Sequence, residues 1–476
     1  MVAAALVLAA CSSGGRGVDV NTLLRDQRGG DAAVSDAPGG DSGAAASTTG
    51  GADTAAGRAA SAAPATGVTS PTAARGGTSA TIARGATPAT GDLQIGFRYV
   101  TGGDVLIDSM GLKNVSSGDQ QGYAQVMLDH VNATGGAGGH KLRVVWSPLK
   151  AQDSVTNAEG ADQATCSTFT EDNHVFAALS PVYSTATLQR CLSAHHVPNV
   201  EDNYNYWNGD DQTIMPSYFV PAYPDQPRMM RFYVDSLAAD GWFGAHPKIG
   251  IARSSSTSRD RAQAGLTKAL AAHGFPVADV IGYSTPDQVS GGVLKFKAEG
   301  ITHVFVIDGS GGLEALLWMT DAEQQQYRPL YAVNTQSGPA FLETNAPAAQ
   351  LRGARGVGWI STVDVSGAPL SANDKQCLDL MHANGKATPD QTAMRFALAT
   401  CDVFRFFVAA MNKAAAATPA GFIAAAEGLD RSFVPTGSLA SQFGRGRHDG
   451  TSQARKLAFD DGCHCFRYAS PPFDVG

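Results

Sequence analysis

The sequence VFAALSPVYSTATLQRC, residues 175–191, contains a strand-to-helix transition from which the architecture of the chain can be read. It opens with an apolar run long enough for a buried strand, breaks at Ser180-Pro181 and continues with the composition of a helix. In open α/β sheets, ligands bind in such turns, where the first helical turn offers unpaired backbone N–H groups and a partial positive charge. With the hydroxyls of Ser184 and Thr185 and the ring of Tyr183, the turn suits a small ligand that carries a carboxylate. A plain helix cap is the alternative interpretation.

The same alternation of strands and helices extends in both directions. Strand-like and helix-like segments joined by short links run from Leu93 to Asp202, and after a looser segment, residues 203–227, they resume and continue to about residue 362. This rhythm predicts two α/β halves in tandem, each built on a parallel sheet. Helix-like segments follow, and the tail QARKLAFDDGCHCFRYA, residues 453–469, predicts a hairpin that turns at Asp461-Gly462.

The composition narrows the class of protein. The chain has 476 residues, of which 43% are hydrophobic, and this length suggests about two or three domains with sizeable cores. The formal charge of −8 argues against binding to nucleic acid or to an anionic membrane surface. No G-x-S-x-G turn ends a strand-like segment and no H-E-x-x-H motif occurs, so we predict no catalytic residue, no enzyme activity and no cofactor.

Two short motifs that suggest chemistry carry little weight. Residues 308–312, DGSGG, resemble the G-D-S-G-G of serine proteases, but the first two residues stand in the opposite order. Cys463-His464-Cys465 could ligate a metal, yet no second pair of ligands lies nearby in sequence, and a C-x-C in an exported hairpin is more often oxidised. We therefore predict no metal site.

The N-terminal segment resembles the end of a bacterial lipoprotein signal peptide. Residues 2–10 form an apolar run too short to span a bilayer, and Leu8-Ala9-Ala10-Cys11 matches a lipobox. The resemblance implies a signal peptide over residues 1–11, a lipid on Cys11, and a protein anchored to the cell membrane outside the cytoplasm. A chance Ala-rich N-terminus is the alternative. Residues 12–92 are rich in Ala, Gly, Ser and Thr, so we expect a disordered tether.

Six cysteines remain after Cys11, an even number that indicates disulfides in an exported protein. The sequence does not fix their connectivity. We favour Cys166–Cys191 and Cys377–Cys401, because each pair would close a loop between helices that are near in sequence. Cys463 and Cys465 are then either joined to each other or free.

The ordered series of segments resembles the type I periplasmic solute-binding proteins of ABC importers, of the kind that binds leucine, isoleucine and valine. LQIGFRYVTG (93–102), GYAQVMLDHVNATGG (122–136) and KLRVVWSPLKA (141–151) are similar to the first strand, first helix and second strand of that family. Cys166 and Cys191 flank the third strand, as a disulfide does in some members. The family usually has G-P-L-T-G after its first strand. Here VTGG (100–103) stands instead, and the helix begins after an extra stretch, residues 104–119.

The resemblance implies an α/β fold with two Rossmann-like lobes, built on parallel sheets and joined by a three-crossover hinge. Lobe one would comprise residues 93–222 and 364–445, and lobe two residues 223–363 and 446–476. The ligand would be enclosed between the lobes by a hinge closure.

The resemblance also places candidate ligand contacts at the strand ends of both lobes. An ammonium group needs an acidic or carbonyl partner once it is desolvated, and Asp308 is the first candidate and Asp202 the second. Capping of the following helix is the alternative role for Asp308, and Tyr204 could instead pack within an inserted loop. The full predicted set is Thr101, Gly103, Tyr183, Ser184, Thr185, Asp202, Tyr204, Asp308, Asn334 and Gln336.

Together these features predict a monomeric, lipid-anchored solute-binding protein that delivers a small polar ligand, an amino acid or a related compound, to an ABC permease in the membrane. The main alternative is a sensor of the same fold that serves a membrane receptor or kinase without transport. An enzyme or a cell-wall adhesion module is a third class.

Overall fold

The structure is a computed structural model that describes residues 91–202 and 215–476. The predicted signal peptide, Cys11, nearly all of the tether and Tyr204 therefore lie outside the described residues. Within the described part, no helix combines the length and the apolarity that a membrane span requires.

The first half is built on a parallel sheet of five strands. Alternate residues of the strand that comes first in the sequence, Ile95, Phe97 and Tyr99, are buried on one face. The strands lie in the order β2-β1-β3-β4-β5. They are β1 (Leu93–Thr101), β2 (Leu142–Lys150), β3 (Ala177–Ser180), β4 (Asn199–Glu201) and β5 (Tyr218–Phe219). The helices between them are α1 (Gly103–Ser109), α2 (Gln120–Ala133), α3 (Ala151–Thr156), α4 (Ala158–Ser167), which continues as a π-helical turn (Thr168–Asp172), and α5 (Ala186–Ala194).

The second half is built on a mixed sheet. Its strands β6 to β10 run parallel, and the predicted C-terminal hairpin adds β11 antiparallel to β10 at one edge of the sheet. The strands are β6 (Ile249–Ser254), β7 (Val277–Tyr283), β8 (His303–Ile307), β9 (Leu330–Asn334), β10 (Arg355–Gly358), β11 (Gln453–Asp460), β12 (Cys465–Tyr468) and β13 (Phe473–Asp474). The helices are α6 (Gln226–Ala239), α7 (Thr257–Ala272), α8 (Pro286–Glu299), α9 (Leu313–Gln324), α10 (Pro339–Asn345), α11 (Ala348–Leu351) and α12 (Ser361–Asp364), with a 3₁₀ turn at Thr335–Ser337.

Three later helices return to the first sheet. They are α13 (Ala372–Ala383), α14 (Gln391–Lys413) and α15 (Pro419–Glu427). On α14, Phe404 stacks on Phe97 of β1 with ring centroids 5.6 Å apart, and Phe406 packs on Phe219 of β5 at 5.5 Å. These contacts form one continuous hydrophobic core from two distant parts of the sequence.

Three disulfides are present in the described residues. Cys166–Cys191 joins α4 to α5, Cys377–Cys401 joins α13 to α14, and Cys463–Cys465 lies in the turn between β11 and β12. The first two are the pairs that the sequence analysis favoured. The sequence analysis left open whether Cys463 and Cys465 are joined to each other or free, and in the structure they are joined.

The chain passes between the two cores three times, between β5 and α6, between β10 and α13, and between α15 and β11. The crossing segments pair with one another, because Val220 forms a parallel bridge with Asp449 and Ile360 an antiparallel bridge with Ser438. The predicted fold class, α/β with two lobes and a three-crossover hinge, is confirmed.

A pair of buried carboxyl groups lies beside these crossings. Asp202, directly after β4, hydrogen-bonds to Asp402 on α14. Asp402 also accepts the N–H and the hydroxyl of Thr436, both at 2.7 Å, and Asp202 accepts the N–H of Ala222 at 3.1 Å. Burial raises the pKa of Asp402 to about 7. Burial and the neighbouring Asp402 carboxyl raise the pKa of Asp202 well above its ordinary value. The pair therefore retains a proton at neutral pH.

This pair makes the stability of the domain depend on pH. Because the folded-state pKa values lie above the unfolded value of 3.8, the folded state holds protons that the unfolded state has released, and the free energy of unfolding falls as the pH rises from about 4 to about 7. In Asp202→Asn, the side-chain amide can donate the hydrogen bond that a bound proton otherwise provides between the two groups. We therefore expect this variant to reduce the decrease in the free energy of unfolding as the pH rises. Urea denaturation between about pH 5 and about pH 8 measures it.

The exposed Asp379 on α13 provides the matched control, and Asp379→Asn should keep the wild-type dependence. If Asp202→Asn also kept that dependence, the carboxyl pair would not be its source.

Candidate functional site

A cavity of about 1170 Å³ lies where the carboxyl ends of the first-half strands face the helix starts of the second half. We call it the cleft. It is lined from the first half by α1, the turn after β3 and the start of α14, and from the second half by the starts of α7, α9 and α10. Its apolar lining comprises Val100, Leu106, Ile107, Met110, Leu112, Val115, Leu149, Val182, Leu313, Phe341, Val363 and Phe396. Its charged lining comprises Lys113, Glu159, Arg190, Arg259, Arg261, Asp390 and Arg395.

The turn after β3 contributes to the cleft as expected, but its polar groups are engaged within the protein. Tyr183 and Thr185 line the cleft, whereas Ser184 is buried and its hydroxyl donates to Glu201. The Thr185 N–H donates to the carboxylate of Asp162 at 2.6 Å, and the Thr185 hydroxyl caps α5. The Ser184 hydroxyl and the Thr185 N–H, which the sequence analysis offered to a ligand carboxylate, therefore already bind internal carboxyl groups.

Asp162 belongs to a buried ion pair that shapes this turn. The Arg98 guanidinium contacts Asp162 and also donates to the carbonyl of Tyr183 at 3.2 Å. Burial raises the pKa of Asp162, and the Arg98 charge partly offsets that effect. Since both charges are almost fully buried, each depends on the other for compensation, and together they fix the path of the backbone from Tyr183 to Thr185.

Glu201 is the centre of a second internal network. Besides the Ser184 hydroxyl, its carboxylate accepts the Tyr218 hydroxyl at 2.8 Å, the Asn199 amide at 3.3 Å and the Gln189 amide at 3.4 Å. Burial raises the pKa of Glu201, and these donors oppose that rise. The four donors satisfy a carboxyl group that has no exposed surface.

The candidate residues of the second half lie behind the cleft lining. Asp308 is buried, and its carboxylate accepts the N–H groups of Ser310, Gly312 and Ala315 at 2.8, 3.1 and 2.9 Å. Burial and the nearby Glu314 raise the pKa of Asp308 to about 6 despite these three donors. This is the capping geometry that the sequence analysis held as the alternative.

Asn334 acts in a similar way, because its side chain accepts the N–H of Gln336 at 2.8 Å and caps the 3₁₀ turn after β9. These residues shape the loops at Gly309–Gly311 and Gly338, and those loops do line the cleft. Of the ten predicted contacts, the cleft lining contains Gly103, Tyr183 and Thr185. Thr101, Ser184, Asp202, Asp308, Asn334 and Gln336 are not in that lining, and Tyr204 lies outside the described residues.

The sequence analysis missed the cationic side chains. Arg259 and Arg261 stand on the first turns of α7, and Arg395 stands on α14. Arg259 pairs with Glu314 at 3.1 Å, and Arg395 donates to the Tyr223 hydroxyl at 3.3 Å. The sequence SSTSRDR, residues 255–261, could have indicated Arg259 and Arg261 as cleft residues. The first turns of a helix lie close to the carboxyl end of the strand that precedes it, which is where the cleft lies.

One contact joins the two walls directly. The Tyr183 hydroxyl of the first half hydrogen-bonds to Ser258 of the second half, and Arg259 lies close to the same ring. Burial raises the pKa of this Tyr183 hydroxyl, so the ring remains neutral while it bridges the cleft.

A family model described as periplasmic binding protein matches residues 105–462. The chain belongs to the periplasmic binding protein family. Since this is a family of binding proteins, the expectation that the chain is not an enzyme is confirmed. Within the part that the structure describes, no group of three or more His, Cys, Asp or Glu side chains is arranged to hold a metal ion. A comparison with curated protein sequences finds no match.

Solved structures similar to this binding protein show that the fold is that of type I periplasmic binding proteins. An ABC transporter substrate-binding protein from Desulfitobacterium hafniense, in complex with Leu, has a TM-score of 0.54 and 17% identity over 79% of this chain and 99% of its own. A solute-binding protein from Rhodopseudomonas palustris HaA2, in complex with p-hydroxybenzoic acid, has a TM-score of 0.60 and 14% identity over 81% and 97%. A fatty acid ABC transporter substrate-binding protein from Thermomonospora curvata has a TM-score of 0.59 and 15% identity over 81% and 93%.

The engaged state of Ser184 leads to a prediction about stability. Ser184→Ala removes a donor from the buried Glu201, and we expect a loss of about 1–3 kcal/mol in the free energy of unfolding. Thr187→Ala is the control, because Thr187 lines the cleft two residues beyond the α5 cap and its backbone N–H remains available to Thr185. That control should change stability by less than about 0.5 kcal/mol. If urea denaturation gave the same free energy of unfolding for Ser184→Ala and Thr187→Ala, the hydrogen bond from Ser184 to the buried Glu201 would not contribute to stability as expected.

Proposed function

We propose that this protein is an extracytoplasmic solute-binding protein that captures a small ligand in the cleft and presents it to the permease of an ABC importer. The observation that carries the proposal is a large cleft lined by both halves of a chain that crosses between them three times. Such a connection allows a hinge motion in which ligand binding favours the closed arrangement. The three structural relatives, each named as a component of an ABC transporter, support the same role.

The two lobes of this proposal follow the two cores. Lobe one comprises residues 93–222 and 364–445, and lobe two residues 223–363 and 446–476. The first core draws on residues from β1 to β5 and from α13 to Phe443, which supports the assignment of a discontinuous first lobe. The second core likewise combines α6 to β10 with Ala454 and Val475, and it also includes Met215, Tyr218, Val220 and Ala222, which lie at the first crossing between the lobes.

The charges of the cleft favour a ligand with an anionic group. Among the described lining residues, five are cationic and two are acidic, and the two acids are Glu159 and Asp390. Asp390 already accepts the N–H groups of Thr392 and Ala393 as the cap of α14. The predicted ammonium partners, Asp308 and Asp202, lie outside the lining. An amino acid remains a candidate through its carboxylate, and the arginines of α7 and α14 are the groups that would recognise it.

Binding can be tested by thermal unfolding of the full chain with leucine, glucose, 4-hydroxybenzoate and decanoate. A ligand at about 100 times its dissociation constant should stabilise the protein by about 2.7 kcal/mol. We expect a shift for at least one carboxylate, and at least an approximately tenfold loss of its affinity in Arg261→Gln, because a hydrogen bond to a charged group contributes about 1.5–3 kcal/mol. Arg231→Gln, an exposed change on α6, is the control. A shift for glucose alone, or equal affinities in both variants, would contradict anion recognition.

We also propose that residues 1–11 are a signal peptide and that a lipid on Cys11 anchors the mature protein to the membrane. The support is the sequence Leu8-Ala9-Ala10-Cys11 followed by a long segment rich in small residues. Expressed in a bacterial host, the wild-type chain should incorporate labelled palmitate and sediment with membranes. Cys11→Ser should lose both properties, and Ser12→Ala should keep them. Label retained in Cys11→Ser would contradict the anchor.

A further inference from the structure

The stretch between β1 and α2 builds one wall of the cleft. We call residues 104–117 the insert wall. It contains most of α1 and the loop that follows, and Leu106, Ile107 and Met110 line the cleft from it. On the same helix, Val105 is 75% exposed and Asp104 and Asp108 are exposed. Leu106 and Ile107 of this short helix therefore face the ligand site, whereas Asp104, Val105 and Asp108 face solvent.

Polar contacts hold the base of the insert wall in place. The Asp104 carboxylate accepts the N–H of Ser117 at 2.6 Å and its hydroxyl at 3.0 Å, which closes the segment on itself. A Cβ at Gly103 would lie 2.6 Å from the Cβ of Ser117, so the close approach of the two ends requires glycine there.

The tip of the insert wall contacts the opposite half. Asn345, at the end of α10, accepts the N–H of Lys113 at 3.0 Å and donates to the Lys113 carbonyl at 3.4 Å. These two bonds span the mouth of the cleft. Beside them, Phe341 of α10 adds an aromatic ring to the lining. The insert wall and α10 together therefore enclose an apolar part of the cleft.

The cleft thus combines two kinds of surface that suit two parts of one molecule. Its cationic side chains suit a carboxylate, and the insert wall with Phe341 suits a hydrocarbon body. A cavity of about 1170 Å³ lies above the range of about 300–1000 Å³ that is typical of small-molecule sites. At the separation of the two walls that the structure describes, a free amino acid would leave part of this volume, including the apolar insert wall, unfilled.

We propose that the ligand is an amphipathic monocarboxylate with an alkyl or aryl body larger than the side chain of an amino acid, and that Leu106, Ile107 and Met110 select it by packing on that body. This inference rests on the proposed function and adds the ligand class and the residues that determine specificity. Since each buried methylene contributes about 0.8 kcal/mol, affinity should rise about fourfold per methylene as long as the chain packs on the insert wall.

The test is calorimetric titration of the full chain with hexanoate, octanoate, decanoate, 4-hydroxybenzoate, leucine and decanol. We expect the affinity to rise from hexanoate to decanoate if the body is alkyl, or to be highest for 4-hydroxybenzoate if it is aryl. Leucine should bind at least about tenfold more weakly than the tightest-binding of these fatty or aromatic carboxylates. Decanol, which lacks the anionic group, should also bind at least about tenfold more weakly than that carboxylate.

The matched variants are Met110→Ser, directly after α1 in the insert wall, and Val105→Ser on the exposed side of α1. Met110→Ser should weaken the best carboxylate by at least about tenfold, and Val105→Ser should leave it unchanged. Asn345→Ala, which removes the bonds to Lys113, should also weaken it, through faster dissociation. The midpoint of thermal unfolding without ligand shows whether each variant is folded.

Two results would overturn the inference. If leucine bound most tightly and Met110→Ser did not change its affinity, the proposed solute-binding function would stand and the amphipathic ligand class would be wrong. If none of these probes bound to the folded protein, the ligand class would be wrong, and the glucose arm of the thermal panel would then decide whether solute binding itself survives.

Discussion

The buried ion pair between Arg228 and Asp449 is the interaction on which the two-lobed arrangement depends. Arg228 lies at the start of α6, just after the first crossing, and Asp449 lies in the third. The same guanidinium donates to the Thr451 carbonyl at 2.7 Å, and Asp449 also accepts the N–H of Asp225 at 2.8 Å. Because a buried charge without a partner is strongly unfavourable, the pair fixes these two crossings side by side. Any motion of the lobes must therefore occur around them as a unit.

The position of the cleft follows from the parallel strands. In a parallel sheet all carboxyl ends lie at one edge, so the turns that follow β1 and β3 meet the first turns of α7 and α9 across the same space. Asp162 and Glu201 take up the donors of the turn after β3, and the positive charge of the lining comes from basic side chains, of which Arg259 also pairs with Glu314 and Arg395 also bonds to the Tyr223 hydroxyl.

The order of strands and helices could be predicted from the sequence, because each element carries its own pattern of apolar residues and each link is short. The same local signals located the turn after β3 and the late start of α2. They could not show which way Ser184 points, since that is decided by the buried carboxyl of Glu201, which approaches from another strand. They could not assign Asp308 to its cap either, because the choice between a cap and a contact depends on how the glycine-rich loop folds over it.

The insert wall is a second feature that the sequence alone could not predict. Its helix is only 7 residues long, and no side chain caps it, so the sequence offers little local indication that it forms. Its base is held by the bonds of Asp104 to Ser117, but its tip is held by the bond between Lys113 and Asn345, two residues separated by 232 positions in the chain. A surface assembled from such distant parts cannot be read from periodicity, yet it forms a wall of the cleft.

The internal hydrogen bonds of the turn after β3 and the apolar insert wall both affect which ligand the cleft can recognise. A site that recognises a free amino acid needs donors for the carboxylate and an acceptor for the ammonium in one small space. Here the nearest donors are bound to Asp162 and Glu201, and Asp308 is bound to its own loop. The cleft lining also contains neutral polar side chains such as Asn114, Gln120 and Asn157, but its guanidinium groups and its apolar wall are the surfaces that suit opposite ends of the amphipathic anion that we propose.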